Sequence, residues 1–108
     1  MAQRFTMDIT DSGFENFTGR NGLSNSVDRG DSIQFQLAGG RTEKAPVTWP
    51  ADLFLSDKNP FDVTTEGAVI VTVSVSAKLG DNDISTLTVP DQGTKTGTIN
   101  VGSGRVER

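Results

Sequence analysis

The sequence predicts an all-β domain: a single small antiparallel β-sandwich or barrel of about six to eight short strands. Three observations carry this expectation. Apolar and polar residues alternate with period two in several runs, most regularly from Ala68 to Ala77. Clusters of Gly, Asn, Asp and Pro punctuate these runs at a spacing typical of sandwiches. Thirteen Thr and ten Val against two Met favour strands, because β-branched side chains suit a pleated surface and lose χ1 freedom in a helix.

The Ala68–Ala77 run puts Val69, Val71, Val73, Val75 and Ala77 on one face, with Ile70, Thr72, Ser74 and Ser76 on the other. It is expected to be the central strand, its valines packed against Ile9, Ile33 and Phe35. Phe5, Met7 and Ile9 alternate through Arg4–Thr10 and give a first strand, closed by a turn at Asp11-Ser12-Gly13. A short second strand is expected around Phe14 and Phe17, then a turn at Arg20-Asn21-Gly22. Asp31–Leu37 sets Ile33, Phe35 and Leu37 on one face, and Ala38-Gly39-Gly40 breaks it. The Thr42–Asp62 stretch holds Pro46, Pro50 and Pro60 and reads as irregular, with one short strand near Val47–Trp49 and a helical turn after Pro50. Ile84–Val89 and Thr96–Val101 supply the last strands, with hairpin turns at Gly80-Asp81-Asn82-Asp83 and Pro90-Asp91-Gln92-Gly93. Residues 1–101 are thus expected to form the sandwich, and residues 102–108 a polar C-terminal tail.

Composition narrows the chemistry. The 108 residues suffice for one domain. Cys and His are both absent, which removes disulfides, thiol chemistry and histidine bases or metal ligands. Ten basic against fourteen acidic residues argue against nucleic-acid binding, which needs clustered Lys and Arg. No run approaches the roughly 18 apolar residues of a membrane helix, so no membrane span is expected. Met1–Phe5 has no apolar leader, and the expectation is synthesis in the cytoplasm without a signal peptide. Nine serines lack a histidine partner, and no Ser-x-x-Lys spacing occurs, so no enzyme and no cofactor are expected. Hydrophobic residues make up only 33% of the chain; the core should be thin, and burial against a partner would be favourable.

Several short motifs have both a functional and a plain reading. Asp81-Asn82-Asp83 resembles part of an oxygen-rich calcium loop, but the rest of that spacing is missing, and a structural turn is expected at Asp81 and Asp83. Arg29-Gly30-Asp31 is an integrin-type tripeptide, yet it equally suits a turn in which Gly30 supplies positive φ. Asn16-Phe17-Thr18 is a glycosylation sequon. Trp49, beside Pro50 and near Phe54, is weighed as core first, then as interface or ligand platform. Arg4 and Val106 complete the candidate interface residues, because the first and last strands are expected to be sheet edges available for pairing.

Two functions follow. The first is a non-enzymatic structural subunit that builds or decorates a larger particle, such as a virion component in a capsid or tail, with protein partners in a homo-oligomer or larger shell. The alternative is a lectin-like or adhesin-like binding module that presents loops to a carbohydrate or protein ligand.

Overall fold

The computed structural model describes residues 2–15 and 17–103. Among them there are nine strands, one 3-10 turn at Arg20–Gly22 and no α-helix. The strands are β1 (Arg4–Thr10), β2 (Gly13–Glu15), β3 (Ser26–Asp28), β4 (Ser32–Leu37), β5 (Ala45–Val47), β6 (Phe61–Val63), β7 (Val69–Thr72), β8 (Gly80–Leu87) and β9 (Thr94–Gly102). Four of them are only three residues long, which takes the total past the expected six to eight.

One sheet has the order β2-β1-β4-β7, a second β3-β9-β8, and β5-β6 forms a two-stranded ribbon. Thr48 and Ser85 exchange reciprocal backbone bonds of 2.9 Å, which hook the ribbon onto β8. The layer opposite the four-stranded sheet therefore reads β6-β5-β8-β9-β3. Among the described residues, no pairing closes either layer into a barrel. The all-β sandwich expectation holds, but its antiparallel qualifier does not. β1–β4 and β3–β9 run parallel. A parallel pair needs a crossover, and between β1 and β4 the chain makes it by visiting the other layer as β3.

Period two places the core. Met7 and Ile9 of β1, Ile33 and Phe35 of β4, and Val71 of β7 point inward. They meet Val47, Val63, Ile84, Ile99 and Val101 from the opposite layer, all buried. Phe35 lies at the centre, with ring centroids 6.3 Å from Phe14, 6.0 Å from Phe54 and 5.4 Å from Phe61. Gly97 lets the layers close at one corner: a Cβ there would stand 2.9 Å from the Phe14 ring, closer than real contacts allow.

The structure corrects several expectations. The valine run is not a central strand. β7 spans only Val69–Thr72 and is the last strand of its sheet. Val71 pairs with Ile33 and Val69 with Phe35, as expected, and Val73 is buried. Val75, however, is 73% exposed, because Ala77 N–H turns back onto the Ser74 carbonyl and ends the extended chain. Gly80-Asp81-Asn82-Asp83 is not a hairpin turn but the start of β8, whose partner is β9 rather than β7. The Pro90–Gly93 turn does join β8 to β9. The segment after Pro50 is a single turn, closed by Leu53 N–H on the Pro50 carbonyl, and not a helix. β6 went unexpected because the three prolines mask its alternation of Phe61 and Val63.

Buried and exposed valines of the same run should respond oppositely to truncation. Val73→Ala should cost about 1–3 kcal/mol and Phe35→Ala about 3–5 kcal/mol, by lost burial and the cavity left behind. Val75→Ala should stay within about 0.5 kcal/mol, as for most surface positions. Urea midpoints for the three variants check this ordering.

Candidate functional site

The most constrained polar group is Asp31, which has no solvent exposure. Its Oδ1 accepts from Arg20 Nη2 at 2.7 Å and from the Gln3 amide at 2.9 Å. Its Oδ2 accepts from Arg20 Nε and from the Asp28 amide, both at 2.8 Å. Arg20 also reaches Asp28 Oδ2 at 3.2 Å. Burial opposes the Asp31 charge, but the Arg20 bond, the two amides and the nearby guanidinium charge outweigh it and hold the carboxyl below its ordinary value. The Asp31 bond correspondingly raises the Arg20 pKa, against the opposing effect of burial. This knot also settles the Arg29-Gly30-Asp31 tripeptide. Gly30 has φ +92°, as expected for the turn, Asp31 faces inward, and the Arg29 guanidinium donates to the Ala77 carbonyl. The tripeptide is therefore a structural corner.

Arg41 is a buried cation, whereas Arg20 is only partly buried. It donates to the carbonyls of Thr10, Glu43, Lys44 and Leu87, closing the loop after β4 over the ends of β1 and β8. A guanidinium has five donors in a fixed fork, so one side chain can hold four backbone oxygens.

The remaining sequence candidates fall as follows. Trp49 and Phe54 are 7% and 3% exposed, with ring centroids 5.3 Å apart, and Trp49 Nε1 donates to the Lys58 carbonyl. Both belong to the core cluster. Arg4 is exposed on β1. Val106 and the sequon residue Asn16 lie outside the described residues, as does the expected tail from residue 104 onward. Gly102 of that tail belongs to β9. Asp81 and Asp83 face outward from β8 and accept from Asn100 Nδ2 and Thr98 Oγ1 across the ladder, while Asn82 between them is buried. Strand alternation thus sends Asn82 away from the two carboxylates. Among the described residues, no group of three Asp or Glu converges as a metal site.

β1 and β9 each lie between two strands, but only over part of their length: β2 covers Asp8–Thr10 of β1 and β3 covers Asn100–Gly102 of β9, so each keeps an edge over the remainder. The true ends of the sheets have two features that sequence reasoning missed. At β7, Ile70 is exposed on the outer face. Leu55 joins it there, because Leu55 N–H bonds the Thr72 carbonyl and its side chain points opposite to buried Phe54. At the other corner, a cleft of about 350 Å³ opens between β2, β9 and the Phe17–Asn25 loop. Met7, Phe14 and Phe17 supply its apolar lining, and Glu15, Thr96 and Thr98 lie among its polar residues. The one visible sequence signal for it is Gly97, the single residue without a side chain in Lys95–Asn100. Compared with known proteins, the chain matches no family model and resembles no curated protein.

The Asp31 knot generates a pH prediction. Its folded-state pKa is depressed, so its stabilisation is complete above the ordinary carboxylate value of about 3.9 and is lost as pH falls through the lower folded value. Asp31→Asn should destabilise at pH 7 by about 1–3 kcal/mol, because the amide NH2 cannot accept from the donors that one carboxylate oxygen serves. It should also flatten the loss of stability in acid. Urea titrations at neutral and acidic pH check both; equal acid slopes for the two proteins would contradict the assignment.

Proposed function

We propose that this chain is a non-enzymatic assembly subunit, a small β-sandwich that associates with copies of itself in a larger particle, as virion shell and tail proteins do. The observation that supports it most directly is the end of the four-stranded sheet. Single exposed apolar residues are ordinary. Here Leu55 and Ile70 share one outer face, with exposed Val75 and Leu79 in the chain just beyond. The backbone adds to this. Val73 N–H bonds the Asp31 carbonyl and the Val73 carbonyl accepts from Gly30, so Val73 and Val71 turn toward β4. By alternation, Ile70 directs its N–H and C=O to the open side. Among the described residues, no backbone bond meets it there. Apolar side chains beside an unpaired edge favour strand-to-strand association.

Light scattering coupled to size exclusion tests this reading. A defined oligomer is expected from the wild type. Leu55→Lys with Ile70→Lys should reduce it to monomer with an unchanged β spectrum, since both side chains face solvent. A wild type that stays monomeric over a wide concentration range would overturn the proposal in favour of a loop-presenting binding module.

A further inference from the structure

β3 covers only part of β9. The pairing Ser26–Asn100, Val27–Val101 and Asp28–Gly102 stops there, although β9 runs back to Thr94. Asn100 N–H still bonds the Asn25 carbonyl. Before Asn25 the chain leaves the lane: Asn25 N–H turns to the Phe17 carbonyl, and Ser24 bridges Thr18. Residues Thr94–Thr98 thus keep β8 on one side, and on the other side no described residue continues the β3 lane. That side is where the cleft opens.

The orientation of the backbone here follows from bonds on both sides. Asn100 N–H points to β3, so Asn100–Asp81 is a pair without ladder bonds between its members. Thr98–Asp83 and Thr96–Ser85 follow by alternation. Ser85 agrees, because its N–H and C=O both go to Thr48, away from β9. Thr96 and Thr98 therefore direct their N–H and C=O into the empty lane. These are donors and acceptors at alternate residues of one strand, and an extended backbone is the ligand that matches that spacing.

The side chains define the rest of the occupant. Alternate residues of an added strand would face the layer interface, over Phe14, Phe17 and Met7, and suit apolar side chains. The other row would lie beside Thr96 and Thr98. Thr98 is hydrogen-bonded to the Asp83 carboxylate on that row, and the chain carries a net charge of −4. Basic side chains suit that row. We infer that the β9 lane at Thr96–Thr98 binds an extended peptide segment of a partner protein, with alternating apolar and basic residues, by adding it as a strand. The inference concerns a different corner from the β7 edge and does not depend on self-assembly there.

The test uses the full chain labelled with ¹⁵N and the peptide acetyl-Lys-Val-Lys-Val-Lys-amide. Saturable shifts centred on the Thr96 and Thr98 amides are expected, with slowed hydrogen exchange at both. Acetyl-Glu-Val-Glu-Val-Glu-amide should bind several-fold more weakly, and Asp83→Asn should reduce that difference. Thr96→Pro should abolish binding, since its N–H serves no bond to β8. Should that variant fail to fold, the peptide itself carries the test. Backbone N-methylation at the two valines and at the central lysine gives two probes, and strand pairing requires one to bind and the other not. Absence of saturable shifts at Thr96 and Thr98, or equal binding by both methylated probes, would overturn the inference. Exchange protection that grows with protein concentration without peptide would also overturn it, by putting a second copy in the lane.

Discussion

Asp31 carries its charge where no water reaches it, and the fold around it is arranged to keep that charge satisfied. A buried carboxylate without partners costs several kcal/mol, so each of its donors is held in place. The Gln3 amide fixes the entry to β1, Arg20 fixes the 3-10 turn, and the Asp28 amide fixes the end of β3. The Asp31 carbonyl accepts from Val73 and so anchors the end of β7. One residue thus gathers the ends of four strands, β1, β4 and β7 of one layer and β3 of the other, at the point where the chain crosses from β3 back into β4.

With those ends fixed, the parallel register of β1 on β4 is set, and Phe35 comes to lie opposite Met7. That register brings the Phe14, Phe54 and Phe61 rings around Phe35 from three separate segments. These aromatic contacts tie elements remote in sequence together at the centre of a core whose other side chains are mostly aliphatic. Arg41 plays the matching role at the far end, where it binds four carbonyls that would otherwise be left without partners near buried chain.

The same constraints leave the edges uneven. At β7 the extended chain ends after Ser74, where Ala77 N–H turns back onto the Ser74 carbonyl, and its outer side keeps Ile70 and Leu55 exposed. β3 is cut short because the Phe17–Asn25 loop has to carry Arg20 to Asp31. A lane beside β9 stays open as a consequence. The open backbone groups at these two strand edges are what the proposed assembly and docking roles draw on.

Alternation alone determined the fold class, the bounds of β1, and the inward faces of β1 and β4, because period two is a local property of the chain. That Gly30 sits in a turn was legible from another local property, the access of glycine to positive φ. Alternation did not determine which strands neighbour which. β1 and β9 read as edges from their place near the chain ends, yet sheet order depends on crossovers that no local pattern encodes. The valine run looked central because each residue favours a strand. Its neighbours were decided by segments far away in sequence, β4 on one side and Leu53–Leu55 along part of the other, and those place it last in its sheet. Asp31 read as the start of a strand or part of an adhesion tripeptide, and only tertiary structure buried it beside Arg20. Neither residue carries a sequence mark of burial, because a charge is tolerated inside only where distant segments converge to pair it.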